Sequence, residues 1–114
     1  MACFCTLASG SSGNSTYIGS GVGGVLIDAG ISCRGILAAL EMREIDRESI
    51  GAVFITHEHT DHIKGLKVLL KKLPVPVYAT DEVLDFLADR DYFPAGAKAV
   101  PMPVQGVCVG DLYI

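Results

Sequence analysis

The period of the apolar positions changes several times along this chain, and the changes divide it into elements. Cys3 to Ala8 is a short apolar run that ends in Ser9-Gly10-Ser11-Ser12-Gly13-Asn14, small and turn-forming residues that predict a loop. Ser15 to Ile18 resumes a strand-like pattern, with Thr16 and Ile18 on one face and Ser15 and Tyr17 on the other. After Gly19-Ser20-Gly21, the run Gly24-Val25-Leu26-Ile27-Asp28-Ala29-Gly30 has a continuous apolar centre, as expected of a strand covered on both faces. Three closely spaced strands thus open the fold.

Helical spacing follows. Ser32 is a fitting N-cap, and Cys33, Ile36, Leu37 and Leu40 draw one apolar stripe, with Arg34, Glu41, Arg43 and Glu44 on the wet side. Ile45 to Ile50 reads as polar connector and Ala52 to Thr56 as a buried strand. Ile63, Leu66, Leu69, Leu70 and Leu73 then repeat at helical spacing, with Lys64, Lys67, Lys71 and Lys72 between them, and Pro74 and Pro76 end that helix. Val75 to Ala79 predicts a further strand. Thr80, with Asp81 and Glu82 at the positive end of the dipole, starts a helix that buries Val83, Leu84 and Leu87. From Asp91 to Gly106 the pattern weakens. Val107 to Ile114 reads as strand, turn and the start of another strand, and a terminus on Leu-Tyr-Ile reads as cut rather than finished.

Composition narrows the class. The 114 residues are 50% hydrophobic and 19% charged, which suits one domain with a true core and excludes a disordered chain. No apolar run approaches the roughly 20 residues of a membrane span. No basic segment followed by an apolar stretch opens the chain, so no secretory signal is read and a soluble, cytoplasmic protein is expected. Cys3, Cys5, Cys33 and Cys108 lack the paired spacing of structural zinc and are expected to be buried thiols. A net charge of -4 argues against gripping nucleic acid by bulk charge, yet leaves room for a nuclease with a local groove.

Chemistry concentrates in one place. All three histidines fall within Thr56-His57-Glu58-His59-Thr60-Asp61-His62, directly after the apolar run Ala52 to Ile55. Side chains two apart in extended backbone point the same way, so His57 and His59 can face one point, while Asp61 and His62 sit at the turn into the next helix. Imidazoles and a carboxylate are ordinary ligands of a borderline divalent metal. Taken singly, a loop histidine is more often a surface residue, Thr60 or Asp61 could cap the helix, and Glu58 is a solvated spacer. The concentration of all of them favours a metal site.

The pattern His57-x-His59-x-Asp61-His62, preceded by an apolar strand and by Leu26-Ile27-Asp28-Ala29-Gly30, resembles the metallo-β-lactamase fold superfamily. Ser9-Gly10-Ser11-Ser12-Gly13-Asn14 and His62-Ile63-Lys64-Gly65-Leu66 make it similar to the YycJ/WalJ-like branch, whose members are described as exonucleases. The resemblance implies an α/β fold, the N-terminal half of an αββα sandwich with a mixed sheet and flanking helices, so that residues 1–114 form the first part of a single truncated domain. It implies two divalent metal ions, zinc or manganese, with iron also accepted. His57 and His59 would ligate the first, Asp61 and His62 the second, with Asp28 orienting the site from behind. The remaining family ligands come from later in the chain, and no histidine follows His62 here.

The implied activity is hydrolysis of a nucleic acid phosphodiester by a metal-activated water that Asp61 positions. Two alternatives stay open: a thioester or lactone hydrolase of the same superfamily, and an inactive fragment with a partial metal site or an assembly role. The loop carrying Ser11, Ser12, Gly13 and Asn14 could meet substrate with backbone N–H groups, or be only a hairpin connection. Lys64, Lys67, Lys71 and Lys72 could steer an anion, or be an ordinary solvated face.

Overall fold

The computed structural model describes residues 3–9, 13–19, 23–103, 106, 108, 109, 112 and 113; the side chains of Cys3, Thr60 and Asp61, and those beyond Gly106, lie outside the description. Strands β1 (Cys3–Ala8), β2 (Ser15–Gly19) and β3 (Gly24–Ile27) are antiparallel neighbours. Helix α1 (Cys33–Met42) leads through a 3-10 turn (Arg47–Ser49) to β4 (Ile50–Phe54). A short turn of helix α2 (Thr60–Ile63) precedes α3 (Leu66–Lys72) and β5 (Val77–Ala79). Helix α4 (Asp81–Asp89) leads to β6 (Ala99–Pro101), and β7 (Cys108–Val109) pairs with β8 (Leu112–Tyr113) in a separate small sheet.

The main sheet runs β1-β2-β3-β4-β5-β6 in sequence order, and from β3 onward each neighbour is parallel. Crossovers between parallel strands are almost always right-handed. When three successive crossovers step in one direction, every connecting helix falls on the same face of the sheet. The packing agrees: Ile36 and Leu40 of α1, Leu66, Leu69 and Leu70 of α3, and Val83 and Leu87 of α4 share one core with Leu26, Val53 and Val77 from the strands. Val25, Ala52 and Phe54 point the other way, into a smaller cluster with Ile18, Ile27 and Tyr78. The predicted two-sided burial of the third strand is observed, with Val25 and Leu26 both fully buried on opposite faces.

Both predicted caps are present. The Ser32 hydroxyl accepts from Gly35 N–H at 3.1 Å, and the Thr80 hydroxyl from Val83 N–H at 3.4 Å. The expected single helix from Ile63 to Leu73 is instead broken at Lys64-Gly65. Gly65 N–H leaves the helical ladder and donates to the Ala29 carbonyl at 2.8 Å, and a β-carbon at position 65 would collide with the Ile31 carbonyl. The apolar stripe survives the break, since Ile63, Leu66, Leu69, Leu70 and Leu73 are all buried. Strand β4 begins at Ile50, inside the expected connector, and β6 lies where no element was expected: three residues bonded to β5 alone.

Cys33 is a buried free thiol, as expected, and Cys5 is half-buried where full burial was expected. Burial pushes the Cys33 thiol above its ordinary range against the opposing fields of Lys72 and Arg47, which leaves it a poor nucleophile. Among the described residues no helix is long and apolar enough to cross a membrane. Because the contact at Gly65 is with backbone, which cannot swing aside, Gly65→Ala is expected to cost ~1–3 kcal/mol or more, read as a lowered urea midpoint with unchanged slope.

Candidate metal centre

The histidine cluster sits at the carboxyl edge of the parallel strands, where open α/β sheets present their sites. Asp28 follows β3 directly, and Thr56 and His57 lie just past the end of β4. The backbone of Asp28 is left-handed at φ 67°, a conformation that a short polar residue tolerates better than most. Its N–H still reaches the Phe54 carbonyl at 2.7 Å, extending the β3–β4 ladder by one bond, and its own carbonyl accepts from the Ser15 hydroxyl at 2.8 Å. With both backbone groups tied, the side chain turns under the cluster.

Asp28 is 5% exposed, so its carboxylate needs donors. Oδ1 accepts from Thr56 N–H at 2.7 Å, and Oδ2 accepts from the Thr56 hydroxyl at 2.7 Å and from His62 Nδ1 at 2.6 Å. A hydroxyl has one proton. Given to Asp28, it leaves Thr56 Oγ1 as an acceptor toward His57 Nδ1, 3.0 Å away. A proton on Nδ1 of His62, donated to the carboxylate, and on Nδ1 of His57, donated to Thr56, satisfies these bonds, and in the neutral rings it leaves each Nε2 with a lone pair that a metal ion can take.

The rings gather on the solvent side. His57 and His62 centroids are 4.9 Å apart and tilted, and those of His57 and His59 are 5.9 Å apart and nearly parallel. His62 is held from the backbone as well: its carbonyl accepts from Ala29 N–H at 2.8 Å and its N–H donates to the His59 carbonyl at 2.9 Å. Asp61 lies in α2, but its side chain is outside the description. Among the described residues, no three His, Cys, Asp or Glu side chains already stand as a metal shell. The donor chemistry fits a divalent ion nonetheless: imidazoles fixed in the binding tautomer by a buried carboxylate.

Of the loop residues singled out from sequence, Ser11 and Ser12 lie outside the described residues. Gly13 packs against the backbone of Gly30, and the Asn14 carbonyl accepts from Gly30 N–H at 2.8 Å, which docks the end of the loop two residues from Asp28. Thr56 was missed as a working residue. Its only sequence signal is a hydroxyl at the strand end beside the first histidine. Of the lysines, Lys67 is paired with Asp91 at 2.9 Å.

The family model of the Metallo-beta-lactamase superfamily matches residues 8–110. The chain belongs to that superfamily. It is 43% identical over 79 residues to the exodeoxyribonuclease YycJ of Bacillus anthracis, covering 69% of this chain and 30% of that protein. It is 42% identical over 88 residues to the exodeoxyribonuclease WalJ of Streptococcus pneumoniae serotype 2, covering 75% of this chain and 32% of that one. The solved structure of Rm3 metallo-beta-lactamase superposes with a TM-score of 0.77 at 26% identity, over 91% of this chain and 45% of that one. The chain thus spans under a third of the length of these curated relatives and under half of the solved neighbour. The expected mixed α/β fold of this superfamily is the one observed.

In Asp28→Asn the amide would donate to His62 Nδ1 and drive its proton to Nε2. Nitrogen-detected NMR of the imidazoles is expected to report that tautomer change in a folded protein, with metal affinity lowered ~10–100-fold. At the start of α3, the Lys67 hydrogen bond and charge hold the Asp91 carboxyl below the ordinary carboxylate range. A lowered carboxyl pKa means that whatever the pair adds to stability is present above the ordinary value and lost as pH falls through the lowered one. Lys67→Ala is expected to return Asp91 upward to the ordinary value in an NMR titration.

Proposed function

We propose that this chain supplies the first part of a metal-dependent hydrolase domain that cuts phosphodiesters of DNA as an exonuclease. The observation that carries the reading is the Asp28–Thr56–His57/His62 relay at the carboxyl edge of the sheet. It prepares two imidazoles for a metal within a sequence that is similar to two proteins named as exodeoxyribonucleases. The relatives' names favour a nucleic acid substrate over a thioester or lactone, and a DNA substrate suits a cytoplasmic protein.

Two divalent ions, zinc or manganese, are the proposed cofactors, with His57 and His59 holding one and Asp61 and His62 the other. Bound there, they would supply Lewis acidity and a water acidified toward neutral pH. The protein's own part is positional. Asp28 fixes the His62 ring and, through Thr56, the His57 ring, so little reorganisation remains when charge develops beside them. Asp61 is the proposed group that orients the attacking water.

The further donors that such a site needs are proposed to come from the rest of a longer domain, whose second layer would cover the sheet face bearing Val25, Ala52 and Phe54. The coverage of under half of the solved neighbour supports this. In the complete protein, loading with zinc or manganese is expected to give degradation of a linear DNA strand from its end. His59→Ala should lose the ion it holds and at least ~100-fold in rate, whereas an unchanged rate and metal content would remove His59 from the site.

A further inference from the structure

A cleft of about 440 Å³ opens between the α2–α3 segment and the C-terminal end of α4. That size lies within the ~300–1,000 Å³ of ordinary small-ligand sites. Its wall begins at Glu58, the residue between His57 and His59, and continues through Ile63 and Lys64, directly after His62. The cleft is therefore the neighbour of the histidine cluster along the same edge.

Its far wall is aromatic and cationic. The Arg90 guanidinium lies 4.7 Å from the centroid of the Phe86 ring, a flat cation held on a flat ring, and half-buried Tyr92 completes the side. Lys67 and Asp91 neutralise each other at 2.9 Å, and among the described residues no carboxylate pairs with Lys64 or Arg90. Two unpaired cations thus face one acid, Glu58, in a chain whose net charge is -4. The C-terminal end of α4 repels anions, and Arg90, its cap residue, stands where it opposes that field. Planar stacking surfaces with adjacent unpaired cations are what single-stranded nucleic acid requires: bases stack on aromatic or guanidinium planes while cations follow the phosphates.

We propose that this cleft seats the nucleotide next to the scissile one, Lys64 and Arg90 taking phosphate and the Phe86–Arg90 stack with Tyr92 taking a base. The assignment rests on the nuclease reading above for what is cut, and on the cleft alone for what is bound. It makes the ligand a single strand, since inside a duplex both faces of a base are already stacked on its neighbours.

The test is binding of a fluorescein-labelled ten-residue thymidine strand, followed by anisotropy in EDTA so that no cleavage intervenes. An abasic strand of equal length and a ten-residue uridine strand are the comparison probes. Arg90→Ala, at an exposed position, and Tyr92→Leu, which keeps bulk in the wall, are each expected to weaken thymidine binding at least ~5-fold, with Tyr92→Phe restoring it. Lys98→Ala, before β6 at the opposite end of the parallel strands, should leave it unchanged. A ten-residue deoxyuridine strand differs from the uridine strand in the sugar alone, and tighter binding of one of these two assigns the sugar.

Equal affinity for the abasic strand, or affinities unmoved in both Arg90→Ala and Tyr92→Leu, overturns the subsite. Cleavage assayed separately with metal keeps the two readings apart. Cleaved DNA with unmoved affinities overturns the subsite alone, and aromatic-dependent binding without cleavage supports the subsite while overturning the nuclease.

Discussion

The Asp28 carboxylate is the interaction on which the rest of this site depends. A buried charge is costly unless it is fully engaged, and here three donors from two residues meet it: Thr56 N–H, the Thr56 hydroxyl and His62 Nδ1. The same residue closes the β3–β4 ladder through its N–H and ties β2 through Ser15. Strand pairing and imidazole orientation are thereby joined in one residue. The left-handed backbone at Asp28 is where the two requirements meet, since it lets the chain keep the ladder while the carboxylate turns toward the histidines.

Sheet order explains why the molecule has its layers. Three parallel crossovers stepping in one direction put all the packed helices on one side, where a single large core joins them to the strands. The second face carries a smaller apolar set centred on Val25, Ala52 and Phe54, with Phe54 and Tyr78 stacked at 4.9 Å. Parallel strands buried on both faces are the norm, and Val25, Ala52 and Phe54 are themselves buried here under Ile18, Ile27, Tyr78 and Met102. The site lies on the edge between the helical layer and that second face.

Local signals in the sequence were sufficient wherever the controlling contact is itself local. Ser32 and Thr80 cap their helices through bonds three residues away, and the leucine spacing of α3 and α4 states its own buried face. The features that were not legible are controlled from far along the chain. The break at Gly65 exists because the Ala29 and Ile31 carbonyls lie against it, and no window around residue 65 contains them. The β6 strand has three residues, half-buried at most and paired on one side, too few to show a period. At the site, the residue types and their clustering were readable. The role of Thr56 was not, because a hydroxyl acquires that role only when a carboxylate 28 residues earlier takes its proton.

The pair of backbone bonds that joins Ala29 to α2, with Ala29 N–H on the His62 carbonyl and the Ala29 carbonyl on Gly65 N–H, involves no side chain at all. The location of residue 62 is therefore independent of what residue 62 is. Its Cα is a fixed mounting point, and a cysteine, aspartate or glutamine placed there would start from the same position relative to Asp28. For anyone rebuilding this edge to accept a different ion, position 62 is where donor identity can be exchanged without losing these two backbone bonds, provided that the new side chain still gives Asp28 a hydrogen bond.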